Sequence, residues 1–556
     1  MSGHNQNQNY YAQNGNEYSY TPPPPPNQTG GYYPPPPQGQ YYQNQQQYQQ
    51  QYQNHQQQMY QQPYPPQDQY QSLPDQPNSF KPAYPPAPAP ISGDHSHATV
   101  KYTKTSKFRD LWAALLYLAL LGFFIAISII YISNSKAVFN ASTNKVFSSS
   151  FVASLFISLG SSLVFSILYL ILCQKYAYFI IVASFWFSVL MLIATAIYYL
   201  VIKIYILGAI LLVFGILYAL SWVGWKRAIP FTKIILETVT QIVRKFPSTI
   251  ALSLLFSAIM VAFNVFCIYS LVASADYLKK YQKCTNTTDR NGVVKQSCTN
   301  TNLVLNYIFT IFIYFWSIQV ILNTLHTAIC GLFATYYFYD GTPEGYPTKH
   351  PLISSLIRAS FFSFGSVCFG SLIVAIIQTI RALLQLARQQ NGDDLFCSII
   401  VCCVDCILGC IEGMVEYFNK YAYIQIAIYG KPYIQASKDA WHLLSDRGVN
   451  AIVNDCLVNN VVYLGSFIAG IISALISYLV IRSFSSTLAT STLIAYTAAS
   501  FVFGASIFTT INGVILSGSS TFFVCLAEDP YSIARTKPEL FSEIVSKYPQ
   551  VVDGIH

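Results

Sequence analysis

The sequence predicts an all-α polytopic membrane protein with about ten transmembrane helices, preceded by a disordered N-terminal tail. Only 10% of the 556 residues are charged, whereas soluble domains carry about a quarter. After residue 110, apolar runs of about 20 residues or more follow one another, which is the length that a helix needs to cross a bilayer. Before residue 105 no apolar cluster occurs, so that part of the chain lacks the material for a core.

This contrast in composition divides the chain into three segments. We expect a disordered cytoplasmic tail at 1–105, a ten-helix transmembrane domain at 106–526 and a short cytoplasmic C-terminal tail at 527–556. The first segment holds most of the 28 prolines and a Gln/Tyr-rich run at 40–58. Such a composition favours polyproline II and low-complexity structure. Two roles stay open for this tail, a solubilising spacer and a docking platform for SH3-like or endocytic partners.

The orientation of the spans follows from the basic residues that precede the first apolar run. Lys101, Lys104, Lys107 and Arg109 form a cluster that the positive-inside bias places in the cytoplasm. An even number of spans then leaves both termini in the cytoplasm. Whether the eighth run crosses the membrane stays open, because it carries three acids. The predicted spans are 111–132, 151–173, 176–202, 204–225, 248–275, 303–338, 360–386, 396–418, 452–480 and 488–518.

Two of the predicted outer loops carry features of extracellular chains. Asn140 in "NAS" and Asn286 in "NTT" are N-glycosylation sequons. The second loop also holds Cys284 and Cys298, and such a pair can form a disulfide in an oxidising compartment. We therefore predict two glycosylation sites and one disulfide on the outer side.

The chain lacks the sequence motifs of several classes of enzyme and nucleotide-binding protein. The chain contains no G-x-x-x-x-G-K-[ST] phosphate loop, no H-E-x-x-H zinc motif and no G-x-S-x-G nucleophile elbow. The membrane-spanning part leaves no soluble domain that would carry a basic patch for nucleic acid. The sequence thus predicts a protein that is not an enzyme and that uses no cofactor, metal ion or nucleic acid.

One apolar run, "FWSIQVILNTLHTAICG" at 315–331, contains polar residues at helical spacing. Trp316, Gln319, Asn323 and His326 follow steps of three and four and form one stripe on a helix. Polar groups inside a bundle tend to face a water-filled path. The stripe is therefore a candidate substrate path, and the alternative is a set of interhelical hydrogen bonds that holds the bundle together.

A second group of polar residues, all of them acids, lies in "CSIIVCCVDCILGCIEGMVEYFNK" at 397–420. Asp405, Glu412 and Glu416 follow steps of seven and four, so they share one helix face. Carboxylates that face a cavity can balance a cationic substrate or carry a proton. We add them to the predicted substrate path, with an interfacial helix whose acids face cytoplasmic water as the alternative.

Several stretches resemble the choline transporter-like family. They are "FSFGSVCFGSLIVAIIQTIR" (362–381), "NKYAYIQIAIYGKPYIQASKDAWHLL" (419–444) and "STFFVCLAEDP" (520–530), with "FATYYFYDG" (333–341) in support. The Gln/Pro/Tyr-rich tail and the short loop at 133–150 resemble the fungal branch, since animal members have a large first extracellular domain. The resemblance implies plasma-membrane transport without ATP, with choline as the substrate of the better-known members.

The predicted function is transport of a small organic solute across the plasma membrane by a multi-pass carrier, secondary or facilitated and not ATP-driven. The resemblance makes a choline-like cation the expected solute, and the other expected partners are membrane lipid and cytoplasmic proteins bound by the tail. The alternative from another class is a membrane scaffold that recruits cytoplasmic partners through its tail and transports nothing.

Overall fold

The computed structural model describes residues 107–135, 149–288, 294–390, 395–484 and 489–547. All of them belong to one unit, residues 93–556. The predicted disorder of residues 1–105 and the Asn140 sequon lie outside the described residues.

The described ranges are dominated by helices, as the sequence predicts. Those that precede the outer hairpin are α1 (Leu111–Asn134), α2 (Ser149–Lys175), α3 (Ala177–Val201), α4 (Tyr205–Trp225), α5 (Ile229–Lys245) and α6 (Ser248–Leu278). Those that follow it are α7 (Thr301–Tyr339), α8 (Pro351–Ile357), α9 (Phe364–Gln390), α10 (Leu395–Tyr429), α11 (Tyr433–Phe484), α12 (Thr490–Glu528), α13 (Pro530–Thr536) and α14 (Pro538–Lys547).

Within the described part of the chain, nine helices are long and apolar enough to cross a membrane: α1–α4, α6, α7, α9, α11 and α12. The remaining predicted span, the eighth (396–418), corresponds to α10, which has 35 residues but carries charged side chains. The all-α, polytopic fold class with about ten long helices is thereby confirmed. The main difference in bounds is α11, which begins at Tyr433 and not at 452, because a helix can continue past the apolar run that identifies the span.

The side chains of α9 and α10 show that these helices form an antiparallel hairpin. Arg381 near the end of α9 pairs with Asp405 near the start of α10. Asn419, much later in α10, donates to the Gly370 carbonyl near the start of α9 at 3.0 Å. The charged helix α10 therefore packs along α9 from Asp405 to Asn419.

Helices α2, α11 and α12 approach one another through small residues. Ser162 Oγ lies 3.1 Å from Ser473 Oγ and donates to the Gly504 carbonyl at 2.8 Å. A Cβ at Gly504 would lie 2.2 Å from Ser473 Oγ, so only glycine allows this approach. Close packing through Gly and Ser is typical of helix pairs in lipid, where the hydrophobic effect does not drive association.

The largest core lies toward the end of the bundle where α7, α10 and α12 finish. Residues 327–337, 421–428 and 517–526 form unbroken buried runs in these three helices. The amphipathic helix α5 adds Ile235, Leu236 and Val239, each fully buried, to the same core. This end of the bundle is consequently closed by continuous side-chain packing.

The loop at 279–300 contains an antiparallel hairpin that the sequence did not predict, formed by β1 (Lys283–Thr288) and β2 (Val294–Thr299). Its register places Cys284 directly opposite Cys298. Residues in such positions have Cα atoms about 4.5–5.5 Å apart, which is within the span of a disulfide. The disulfide and the glycan at Asn286 stay predictions.

Candidate functional site

A cavity of about 440 Å³ lies between α7, α10 and α12, with one wall residue from α11. We call it the charged cavity, because ionisable side chains enter its wall from α7 and α10. The polar residues used below are Asn323, His326, Glu416, Tyr417, Lys420 and Ser517.

An ion pair between α10 and α11 lies beside the charged cavity. Lys420 Nζ is 3.0 Å from Asp455 Oδ2, and the Asp455 side chain is only 3% exposed. Tyr421 donates to the same oxygen at 2.9 Å, and Ser520 donates to Asp455 Oδ1 at 2.8 Å. A buried carboxylate needs this many partners, since its desolvation otherwise costs several kcal/mol. The pair ties α10, α11 and α12 together at one level.

His326 bridges α7 to both α10 and α12. Its Nε2 lies 3.2 Å from the Lys420 carbonyl oxygen, and its Nδ1 lies 2.8 Å from Ser517 Oγ. A carbonyl oxygen can only accept, so Nε2 carries the proton and Nδ1 accepts from the serine hydroxyl. This arrangement satisfies both ring nitrogens of a neutral imidazole.

The two amides of the predicted stripe also have protein partners. Asn323 Nδ2 donates to Ser371 Oγ on α9 at 3.0 Å, and Gln319 Nε2 donates to Glu416 Oε1 at 3.0 Å. A second amide, Gln378 Nε2, approaches the same Glu416 oxygen at 3.3 Å. Among the described residues, no cation lies within ion-pair distance of Glu416. This carboxylate on the cavity wall is thus held by neutral donors.

Trp316 lies away from the charged cavity. Its side chain is fully buried, and Nε1 donates to the Cys368 carbonyl at 3.0 Å. The Tyr117 ring packs against it edge to face at a centroid distance of 5.2 Å. Of the predicted stripe, the structure therefore brings Asn323 and His326 to the charged cavity, with Gln319 next to it through Glu416.

The other two predicted acids meet a cation of α9. Arg381 Nε lies 2.8 Å from Asp405 Oδ1, and Arg381 Nη1 forms an ion pair with Glu412. The guanidinium lies against Gly409, where an added Cβ would be 3.2 Å from Nη2. Asp405 and Glu412 thus extend the charged face of α10 beyond the charged cavity, and one arginine bridges them.

Three of these residues were missed by the sequence interpretation. Lys420 continues the spacing of the acids, four residues after Glu416, so the helix face itself contained the signal. Asp455 follows closely on the predicted start of the ninth span at 452, where an acid is ordinary. Arg381 lies near the predicted end of the seventh span, where a basic residue is equally ordinary.

Metal binding finds no support in the part of the chain that the structure describes, where no group of three or more His, Cys, Asp or Glu side chains converges. Cys330 Sγ approaches His326 Nε2 at 3.5 Å, which brings together two such groups. The chemistry available at the charged cavity is that of carboxylates, a lysine, an imidazole and a phenol.

Long apolar helices around an ionisable cavity define a polytopic α-helical membrane protein with a polar site inside its bundle. Residues 209–531, which include every residue of the charged cavity, match the family model described as plasma-membrane choline transporter. The chain belongs to the choline transporter-like family.

Its relatives include fungal proteins that share the name Protein PNS1. The protein from Eremothecium gossypii is 33% identical over 468 residues, which cover 81% of this chain and 83% of the relative. The protein from Kluyveromyces lactis is 33% identical over 431 residues, 76% of each chain. The protein from Cryptococcus neoformans var. neoformans is 34% identical over 409 residues, 72% of each chain. The predicted resemblance to the fungal branch is confirmed.

Proposed function

We propose that the chain carries a small organic cation of the choline class across the plasma membrane, without ATP, and that the charged cavity is its solute site. The observation that carries the proposal is Glu416, a carboxylate on the cavity wall that is held by the amides of Gln319 and Gln378. The membrane-spanning fold and the family support a transporter, and Glu416 supports a cationic solute.

The charges on α10 and on the residues that pair with them also support a cationic solute. Asp405, Glu412 and Asp455 are each ion-paired, through the two cations Arg381 and Lys420. Glu416 adds a further negative charge at the cavity. A cation in the charged cavity would approach this carboxylate and be attracted by its charge.

The wall of the charged cavity also offers an aromatic face. Tyr417 lines it next to Glu416, and aromatic rings attract quaternary ammonium groups through cation–π interaction. The Tyr417 hydroxyl lies 3.4 Å from the Tyr421 hydroxyl, which orients the ring. We assign Glu416 and Tyr417 as the groups that hold the ammonium, with Asn323 and His326 on the opposite, α7 side.

Passage through the bundle requires the closed end to open. The charged cavity lies against residues 322–329 of α7, and the buried runs of α7, α10 and α12 lie beyond it. The ion pair Lys420–Asp455 and the bond from His326 to Ser517 join these helices at the boundary. We propose that these contacts hold the end of the bundle closed and must break during alternating access. In that mechanism one group of helices moves relative to another.

The orientation is part of the proposal. With both termini in the cytoplasm and α10 as a tenth span, the closed end faces the cytoplasm and the β1–β2 hairpin faces outward. Glycosylation at Asn286 tests this orientation directly. Endoglycosidase should change the gel mobility of the wild-type protein, and the change should be smaller for Asn286→Gln. A glycan at Asn27 in the tail would reverse the orientation.

Uptake by the purified full chain in liposomes tests the proposed function. We expect saturable uptake of labelled choline above protein-free liposomes, measured with and without an imposed proton gradient. Folded, correctly reconstituted protein without uptake of choline or other small organic cations would refute the proposal.

A further inference from the structure

An open groove of about 350 Å³ lies between α10 and the first turns of α11. Phe418 of α10 forms one wall, and residues between Tyr433 and His442 of α11 form the other. The groove shares no lining residue with the charged cavity. Phe418 lies about half a helical turn from Glu416 and from Lys420, so the two sites occupy opposite faces of α10.

The groove lies at the level where membrane spans begin. The backbone N–H of Tyr433 donates to Asp110, the residue before α1, at 2.8 Å. The Tyr433 ring packs against Phe369 in the second turn of α9 at a centroid distance of 5.0 Å. Both α1 and α9 are candidate spans, whereas the candidate span of α11 begins only at Asn450. We therefore call this site the boundary groove.

Exposed apolar side chains form part of the boundary groove. Ile434 is 58% exposed and Trp441 is 63% exposed, and a spacing of seven residues places them on one face of α11. The Trp441 ring lies against the Phe418 ring at a centroid distance of 6.2 Å. Tryptophan at the edge of a membrane span is typical of the lipid interface, where its apolar ring and polar N–H both find partners.

Two basic side chains occupy the same face. Lys438 lies four residues after Ile434, and His442 lies four residues after Lys438. Both side chains are exposed, and no carboxylate of the described ranges lies at ion-pair distance from either. Asp439, the acid next to Lys438, is paired with Lys431 at 2.6 Å instead. The boundary groove thus places a free cation beside an apolar wall.

We propose that the boundary groove binds an anionic phospholipid, with the phosphate at Lys438 and His442 and an acyl chain against Ile434 and Trp441. Phosphate oxygens accept hydrogen bonds from an ammonium group and from an imidazole N–H. In the proposed orientation this end of the bundle faces the cytoplasm, and the cytoplasmic leaflet carries the anionic lipids.

The chemistry of the boundary groove separates this ligand from two others. The transported cation would be repelled by Lys438. A diffuse layer of anionic lipid forms over any basic surface by charge alone. The apolar wall beside Lys438 adds a contact for the acyl chain, so the groove should retain one lipid with higher affinity than the surrounding surface has.

Photolabelling of the full chain in phosphatidylcholine nanodiscs tests the proposal. The probe is phosphatidylserine with a diazirine in its acyl chain, and labelled peptides are identified by mass spectrometry. We expect saturable labelling of residues 434–442 that excess phosphatidylserine displaces and phosphatidylethanolamine does not. Lys438→Gln should weaken the apparent affinity about fivefold, the effect of one basic side chain at a membrane surface.

Two further variants make the result specific. Trp441→Ala removes the apolar wall but no charge, and it should also weaken the apparent affinity. Lys226→Gln is the matched control, because Lys226 is an exposed cation directly after the α4 span and outside the boundary groove; it should label as wild type does. Thermal unfolding in nanodiscs without phosphatidylserine establishes that each variant is folded.

Three outcomes would overturn the proposal. One is an affinity that Lys438→Gln leaves unchanged or lowers no more than Lys226→Gln does, which would reduce the effect to general attraction by a basic surface. Another is displacement by phosphatidylethanolamine as effective as displacement by phosphatidylserine. The third is the absence of saturable labelling at 434–442, which would leave the groove to a protein segment. None of these depends on choline uptake, so the lipid site and the transport function can fail separately.

Discussion

The charged cavity differs in its lining from a second cavity, of about 430 Å³ between α6, α7 and α9, although helix α7 lines both. We call the second one the neutral cavity, because none of its lining residues carries a charge. Against the charged cavity, α7 presents Asn323 and His326, and α10 adds Glu416 and Lys420. Against the neutral cavity, α7 presents Thr310 and Tyr314, and the facing helices α6 and α9 add no charged group. The position along α7 thus decides whether ionisable or only uncharged side chains line each cavity.

The largest effect is expected when the ion pair beside the charged cavity is broken. Asp455→Asn leaves Lys420 charged and half-buried without its partner, which costs about 3 kcal/mol of folding free energy. The double variant Lys420→Gln with Asp455→Asn removes both charges and should recover most of that stability. We expect both variants to lose choline uptake, because each lacks the Lys420–Asp455 ion pair that we propose holds the end of the bundle closed.

Thermal unfolding and uptake, measured on the same preparations, separate stability from transport. Wild-type uptake by the stable double variant would show that the pair is purely structural.

A smaller effect is expected at Arg381, which lies between the two cavities. It bridges Asp405 and Glu412, and its neighbour Ala382 lines the neutral cavity. Arg381→Gln should lower the unfolding free energy by about 2 kcal/mol, because two partly buried carboxylates lose their cation. Arg381→Lys should recover only part of this loss, since an ammonium cannot reproduce the planar fork of donors. Equal stability of Lys and Arg at this position would contradict the bridging role.

The smallest effect on transport is expected outside both cavities, at Asp340. Its carboxylate lies 2.5 Å from Lys245 Nζ and 3.0 Å from Lys537 Nζ, and Tyr346 donates to it. Burial raises the pKa of Asp340, but these three donors outweigh burial and lower the pKa to about 2. Because the folded-state pKa lies below the unfolded one, the stabilisation is complete above about pH 4 and is lost as the pH falls toward 2.

Asp340→Asn should therefore lower thermal stability by an amount that shrinks as the pH falls from 4 to 2. Uptake affinity should stay as in the wild type, since Asp340 lines neither cavity. A stability difference that is constant over this pH range would contradict the role of the Asp340 charge.

The fold was predictable because its determinants are local. Apolar runs such as 111–132 and 204–225 reproduce α1 and α4 to within a few residues, since a membrane span is recognised by length and composition alone. The hairpin around Cys284 and Cys298 was not predicted, because two short polar strands leave no apolar signature.

The site was only partly predictable because its contacts join distant segments. The helical stripe placed Asn323 and His326 on one face, and the structure brings both to the charged cavity. The same stripe could not show that Trp316 packs against Tyr117, nor that Lys420 pairs with Asp455 on another helix. Periodicity defines a face of one helix, and the neighbour of that face depends on tertiary packing.

The most direct test of a cation site at the charged cavity is the KM for choline uptake in Glu416→Gln. Glutamine keeps the size of the side chain but removes its charge. Glu344→Gln is the matched control, since Glu344 is an exposed carboxylate in the loop after α7. We predict that KM rises about tenfold in Glu416→Gln, the value of one charge-assisted contact, and stays unchanged in Glu344→Gln. An unchanged KM in a folded Glu416→Gln protein would contradict the assignment of the charged cavity as the cation site.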